Sequence, residues 1–364
     1  MSQRHLGSIA SIAFLAAWAC AAAASATDTA AQREAAWQQH QEMAAASPFA
    51  GVRWRSIGPT EQGGRVVDVA AVPGQPYTFY VAYATGGVWK TVDDGVSFEP
   101  LTDALPTTVT GAIAVDPQHP QTLWVGTGEP NASRSSYGGM GLFRSDDGGK
   151  HFSRAGLAGS DRIARIVVDP KDSNRIFVAV AGRLYTEGGD PGVYRSTDGG
   201  KSWARVLKGD RPNTGAIDLV QDASDPDVLY AALWEHTRRA WKFQASGAGS
   251  GIWKSVDGGT TWQRIGNGFP NGVHVGRIGL AIAASHPQTV YATVDNWDVL
   301  PADQQDLGDR PLSAHRIEHM GKDEFLRQDP DEIETFIRDS DLAVDVDAKS
   351  LTAIRKKMPA DGSA

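Results

Sequence analysis

Two glutamates hold the same place in a repeating pattern. Counted five residues on from the aromatic of an apolar stretch (Tyr80, Trp124, Phe177, Tyr230, Tyr291) stand Thr85, Glu129, Gly182, Glu235 and Asn296. A pair of carboxyl groups is what glycoside hydrolysis requires, one as acid and one as base or nucleophile, roughly 5 to 9.5 Å apart. Glu129 and Glu235 come from repeats two apart, so a wider separation is expected. Loop carboxylates held by hydrogen bonds are the competing expectation. Asp295, one residue before Asn296, is a third candidate acid.

Three arginines share a second register. Arg65 and Arg162 precede their apolar stretches by the same interval, and Arg277 falls within one residue of it. Guanidinium groups converging near one axis could clamp an anion. Pairing with neighbouring acids or carbonyls is the bland alternative. Tyr137, Tyr185, Trp234, His236 and Trp241 lie in or beside the same polar segments and offer rings for stacking. The run "HRIEH" (315–319) matches an inverted zinc-protease pattern in which His315 and His319 would hold metal and Glu318 would act as base. That chemistry needs a large α/β domain and a distant third ligand, so a chance match is expected. With no nucleophile elbow, P-loop, dinucleotide fingerprint or Ca²⁺-loop spacing either, neither a cofactor nor a metal is expected.

These residues must be positioned by something, and the chain writes its scaffold several times. "KTVDDGVSF" (90–98), "RSDDGGKHF" (144–152), "RSTDGGKSW" (195–203) and "KSVDGGTTW" (254–262) are four versions of one turn. Ahead of each lies an apolar strand, a turn, and a second strand with an aromatic in it. Asp93, Asp147, Asp198 and Asp257 recur roughly 50 to 60 residues apart, the period of a β-propeller blade of four strands. A fifth copy begins at 278–297 and stops before its turn. The acidic side chain can accept N–H bonds from its own turn, and the glycine two residues later permits positive φ. Their expected role is structural.

The pattern S/T-x-D-x-G-x-x-aromatic resembles the Asp-box, or bacterial neuraminidase repeat. Over about residues 51–297 the chain looks like exported Asp-box propellers related to the sortilin N-terminal domain and to xyloglucan-active glycoside hydrolases. The resemblance implies an all-β propeller with four complete blades and a partial fifth, and Asp-boxes on the face opposite the functional loops. It also implies a ligand that is protein or polysaccharide. Members include receptors, assembly factors and hydrolases, so fold alone does not choose among them. The xyloglucan-active enzymes carry a catalytic Asp in a first-blade "T-D-[VI]-G-G"; here "YATGG" places Ala84 there, which argues against that mechanism. A sialidase-like site would use the three arginines, but its tyrosine–glutamate pair and acid cannot be assigned. The first expectation is therefore a binding module that uses its long second-to-third-strand loops. A glycoside hydrolase using Glu129, Glu235 or Asp295 is the alternative.

Residues 1–26 read as a secretory signal peptide: Arg4, an apolar run too short to span a membrane, then "ASA". Export to the periplasm or the exterior is expected. "AWAC" lacks the aliphatic residue that lipidation of Cys20 would want. Cys20 is the only cysteine, so a cleaved chain has no disulfides. The net charge of −8 and the lack of a basic stripe exclude nucleic-acid binding as the main role. Residues 27–50 are expected to form a loose helical segment, 51–298 the propeller, and 299–364 a polar helical insertion in a truncated product. That insertion holds helices near 329–340 and 347–358. "GVRWRSIG" (51–58) could supply a ring-closing strand.

Overall fold

The computed structural model describes residues 29–52, 64–298, 312, 316–317, 320–339 and 347–357. It divides into two units, residues 1–297 and 298–364. The stretch 53–63, which includes most of "GVRWRSIG", lies outside the described residues, as does the expected signal peptide.

After helix α1 (Ala30–Ala46), the first unit is built from antiparallel sheets with one topology. The first holds β1 (Val66–Val72), β2 (Gln75–Tyr83), β3 (Gly87–Thr91) and β4 (Glu99–Pro100) in chain order. The second holds β5 (Thr110–Val115), β6 (Leu123–Thr127), β7 (Leu142–Ser145) and β8 (Ser153–Arg154). The third holds β9 (Ile163–Val168), β10 (Ile176–Val180), β11 (Gly192–Ser196) and β12 (Ala204–Leu207). The fourth begins with β13 (Thr214–Gln221) and β14 (Leu229–Glu235). A small hairpin, β15 (Thr237–Arg238) and β16 (Phe243–Gln244), interrupts it before β17 (Gly251–Ser255) and β18 (Gln263–Ile265). Strands β19 (Val275–Ile282) and β20 (Val290–Asn296) form a two-stranded sheet.

The second strands of the middle sheets are apolar on both sides, because both faces of those sheets are covered by neighbours. β6 and β10 are buried along their whole length. The core accordingly runs between sheets: Trp124 of the second clusters with Ile166 and Val178 of the third, and Phe177 of the third with Leu219 and Leu233 of the fourth.

The four acidic turns share one hydrogen-bond scheme. The hydroxyl of Thr91, Ser145, Ser196 or Ser255 donates to the aspartate Oδ1 at 2.8 Å. The same hydroxyl accepts from the glycine N–H four residues on, at 2.8–2.9 Å. Oδ1 also accepts the N–H of Ser97, His151, Ser202 or Thr261 at 2.8–2.9 Å. These bonds favour the ionised acid. The hydroxyls of Ser97, Ser202 and Thr261 lead in holding Asp93, Asp198 and Asp257 down to about 2. Asp147 goes lower still, chiefly through the His151 N–H and imidazole.

One position per repeat lines the line where the first strands meet. Opposite the residue two past each second-strand aromatic stand Asp68, Ala112, Arg165, Asp218 and Gly279. Arg165 donates from Nε to Asp218 at 2.9 Å and from Nη1 to Asp68 at 3.4 Å, joining the third sheet to the first and the fourth. Each aspartate also stitches its sheet to the next: Ile113 N–H donates to Asp68 Oδ2 (3.0 Å) and Leu280 N–H to Asp218 Oδ2 (2.8 Å). Burial raises Asp68 against the opposing pull of Arg165.

The second unit contains α2 (Lys322–Phe325), α3 (Pro330–Asp339) and α4 (Ala348–Lys357). Ile333 and Ile337 of α3 share an apolar cluster with Leu312, Met320 and Phe325. No helix among the described residues is long and apolar enough to cross a membrane.

Candidate functional site

Strand register puts the acidic turns and the two glutamates at opposite ends of their sheets. In the second sheet Leu123 pairs with Ser145 and Gly126 with Leu142. Asp147 therefore follows the near end of β6, and Glu129 lies past its far end. In the fourth, Leu229 pairs with Ser255 and Leu233 with Gly251, so Asp257 and Glu235 are separated in the same sense. The far end carries the long second-to-third-strand loops.

Glu129 is fully buried there, and Arg65 clasps it with two parallel bonds, Nε to Oε1 at 2.7 Å and Nη2 to Oε2 at 2.8 Å. Asn131 Nδ2 adds a longer bond to Oε1, 3.4 Å. Burial would raise the Glu129 carboxyl, but Arg65, Ser136 and Asn131 together bring it below its ordinary value. The bond to Glu129 in turn raises Arg65.

A chain of contacts runs on across the loop end. Arg277 Nη1 donates to Asn131 Oδ1 at 2.9 Å, and its guanidinium lies 5.9 Å from the Trp234 ring centre. Trp234 stacks on His236 with centroids 4.0 Å apart. Arg162, only 1% exposed, donates from Nε to the Gly182 carbonyl at 2.6 Å, and its Nη2 lies 2.9 Å from His236 Nε2. An arginine is always a donor here, so Nε2 accepts and the ring proton sits on Nδ1, facing the Trp234 carbonyl at 3.2 Å. Desolvation, then the Arg162 charge, pushes His236 down to about 3. Desolvation likewise lowers Arg162 to about 10.

The structure thus brings Arg65, Glu129, Arg277, Trp234, His236 and Arg162 into one connected network, with each arginine engaged by a protein group. Glu235 stands in another set: Gly249 N–H donates to Oε2 at 2.8 Å, Gln244 Nε2 to Oε1 at 3.2 Å, and Arg211 Nε lies 3.5 Å from Oε2. Asp295, exposed, accepts from Trp297 Nε1 at 2.9 Å. Among the described residues none of the three carboxylates is hydrogen-bonded to another, so no acid–base pair is joined.

The aromatics divide by exposure. Trp234 is buried, whereas Trp241 is 85% exposed, Tyr137 58%, Trp297 56% and Tyr185 43%. Trp241 occupies the tip between β15 and β16; the Tyr185 hydroxyl donates to the Arg134 carbonyl at 2.8 Å. Tyr137 and Tyr185 line a shallow depression of about 530 Å³ with Arg33, Asp161 and Arg183. Asn131, Arg165 and Trp297 were not among the residues that sequence reasoning singled out. The matching "VVDV" and "AIDL" of β1 and β13 were the available signal for the partners of Arg165. His315, Glu318 and His319 lie outside the described residues, and among those described no group of His, Cys, Asp and Glu could hold a metal ion.

Residues 140–297 match the model of the Sortilin-Vps10 family, described as "Sortilin, neurotensin receptor 3". A xyloglucanase from a Paenibacillus species is 27% identical over 255 residues, 64% of this chain and 24% of that protein. A xyloglucanase from Acetivibrio thermocellus is 30% identical over 118 residues, 30% of this chain and 12% of that protein. The crystal structure of an ancestral GH74 enzyme superposes with a TM-score of 0.52 at 26% identity, covering 67% of this chain and 29% of that one. The chain thus spans a quarter or less of the length of these curated relatives. Its sheets are those of a propeller related to sortilin and to the xyloglucanases.

Proposed function

We propose that the chain is part of a glycoside-hydrolase-like Asp-box propeller, with four blades and the start of a fifth described, whose loop-bearing end receives a polysaccharide. The carrying observation is the set of solvent-facing rings at that end: Trp241, Tyr137, Trp297 and Tyr185 are each more than two-fifths exposed. A sugar ring presents an apolar face and a polar rim, which is what an exposed indole or phenol can stack against while its polar edge stays wet. The likeness to xyloglucanases supports a β-glucan as the class of ligand. It also supports the export expected from residues 1–26.

Among the candidate acids, Asp295 is the one left exposed to a substrate, while Glu129 and Glu235 serve the framework that holds the loops. The first-blade position expected to carry an acid is Ala84, buried at 1% exposure. That observation favours a second reading, binding of the glycan without turnover.

Titration calorimetry of the full chain against xyloglucan oligosaccharides should give saturable binding, weakened about tenfold by Trp241→Ala combined with Tyr137→Ala, or ~1.4 kcal/mol. Absence of binding to xyloglucan and to unbranched β-glucan would reject the glycan reading. Release of reducing ends that Asp295→Asn abolishes would select hydrolysis; binding without release selects the second reading.

A further inference from the structure

Helix α1 forms by its own local chemistry and is held to the sheets by little. The Thr29 hydroxyl accepts the Gln32 N–H at 3.2 Å while the Gln32 side chain accepts the Thr29 N–H at 2.7 Å. That is a capping box ahead of an alanine-rich run, a good helix former. None of the helix residues is buried. Two ion pairs tie it down: Arg33 Nη1 with Asp161 Oδ1 at 3.0 Å, and Glu34 with Arg154. All four side chains are partly open to water, so each pair contributes little and weakens with salt. Arg33 Nε and Nη2 are buried with no acceptor among the described residues, which opposes docking.

Asp161, by contrast, occupies a built position. A Cβ on Gly138 would stand 2.7 Å from its Oδ2, and one on Gly189 would stand 2.9 Å from its Cβ and 2.9 Å from Cγ of Arg183. Two segments bare of side chains thus make room for the carboxylate and for Arg183, whose Nε lies 3.8 Å from Oδ1. Asp161 and Arg183 line the depression of about 530 Å³ together with the exposed Tyr137 and Tyr185. A second hollow of about 600 Å³, walled by α1, shares Arg33, Pro106 and Met140 with the first and adds Trp37. Arg33 therefore stands where the two hollows meet, with its guanidinium on an oxygen of Asp161.

We propose that Asp161 and Arg183, with Tyr137 and Tyr185, form a subsite for a neutral sugar ring, and that α1 is a self-blocking strap whose Arg33 holds Asp161 until sugar hydroxyls replace it. The proposal rests on the glycan reading above and names the residues that would carry it. A carboxylate beside a guanidinium offers acceptors and donors to adjacent hydroxyls, and the two phenol rings offer apolar faces. Arg33 uses the same carboxylate, so strap and sugar compete for it. The apparent affinity is then the intrinsic one reduced by the fraction of molecules whose strap is free. Withdrawal of Arg33 joins the two hollows into one groove, which suits a glycan chain better than a single ring.

The test is titration calorimetry of the full chain with xyloglucan oligosaccharides at low ionic strength. Arg33→Met should tighten binding about fivefold, and Glu34→Gln, which leaves Arg33 and Asp161 in place, should tighten it by less. Misfolding cannot produce a gain in affinity. Added sodium chloride should tighten the parent more than Arg33→Met, since the sugar is uncharged and only the strap is screened. In the Arg33→Met background, Asp161→Asn and Arg183→Gln should each lose about tenfold, read on variants whose thermal unfolding matches that background. Hydrogen exchange of the α1 amides should quicken on saturation, because an undocked helix of 17 residues frays. Parent binding that Arg33→Met leaves unchanged or weakens, or exchange in α1 that slows on saturation, overturns the strap and leaves the glycan reading standing. Binding indifferent to both Asp161→Asn and Arg183→Gln overturns the subsite. No binding by the parent or by either strap variant rejects the glycan reading, and this proposal with it.

Discussion

Arg162 and His236 meet as charged donor and neutral acceptor, Nη2 to Nε2 over 2.9 Å, both removed from solvent. The third sheet supplies the arginine just ahead of β9, and the fourth supplies the histidine just past β14. A bond between two ends of different sheets fixes their spacing on the loop side, as the Arg165 bonds fix it along the inner strands.

This pairing predicts an acid sensitivity above the range where aspartates titrate. An unfolded imidazole takes up a proton near pH 6.5, whereas folded His236 resists until about 3. Between those limits the unfolded state binds the extra proton, so stability falls as pH falls. The slope is at most about 1.4 kcal/mol per pH unit. Urea midpoints measured from pH 7 to pH 4.5 should decline in the parent chain and flatten in His236→Gln, which keeps an acceptor for Arg162 but does not titrate. An unchanged slope would mean that His236 is not the sensor.

Glu129 is predicted to act on stability before chemistry. Glu129→Ala removes a buried acceptor from Arg65 and Asn131, and is expected to cost about 2 kcal/mol. The arginine is 43% exposed and can turn to water, which keeps the loss below that of a fully buried pair. Arg65→Lys keeps the charge but not the two-bond fork, for about 1 kcal/mol. Equilibrium urea unfolding checks both; equal stability of Glu129→Ala and parent would remove the carboxylate from the framework.

The repeat itself was legible because its turns bind themselves. Asp198, Ser196 and Gly200 complete their hydrogen bonds within a few residues, so a short motif carries the whole local geometry. That Glu129 and Glu235 lie at the same end follows from the pairing, since Trp124 stands opposite Arg144 as Tyr230 stands opposite Lys254, which sets turn and glutamate at equal offsets in both sheets. Their partners were not legible. Arg65 reaches Glu129 from an earlier sheet, and Arg277 reaches Asn131 across 146 residues of chain. Such pairings depend on how sheets are rotated about one another, which strand periodicity does not encode. Trp234 shows the same limit: its repeat position matched a loop edge, yet stacking on His236 and the Ala245 carbonyl draws it inward.

Two glycines with nearly equal backbone angles should differ sharply on substitution. Gly200 has φ +86° and Gly268 φ +85°, so each charges an alanine roughly 1 kcal/mol for left-handed backbone. Nothing lies within 4 Å of a Cβ at Gly268, while at Gly200 it would stand 2.5 Å from the Trp124 ring. Trp124 is packed between sheets and cannot withdraw cheaply. Gly268→Ala is expected to lower stability by about 1 kcal/mol and Gly200→Ala by about 3 kcal/mol. Thermal unfolding of the two variants side by side is the test, and equal losses would show that the blade junction yields more easily than its packing implies.

The inner-strand triad offers the sharpest separation of charge from packing. Arg165 stands between Asp68 and Asp218, and each aspartate also accepts an N–H from the next sheet. Arg165→Met leaves two acids facing each other with their cation gone, and Asp68, already raised by burial, should rise further. The side chain of Arg165 is 38% exposed, so screening limits the loss to about 2 kcal/mol. Asp68→Asn in the Arg165→Met background removes the repulsion while keeping an oxygen for the Ile113 N–H. It should recover about half of that loss, whereas Asp68→Asn alone should be destabilising because it weakens the partner of Arg165. A double-mutant cycle on urea unfolding measures the coupling. If the two substitutions simply add, the charges act independently and the sheets are held at their inner strands by backbone bonds and packing alone.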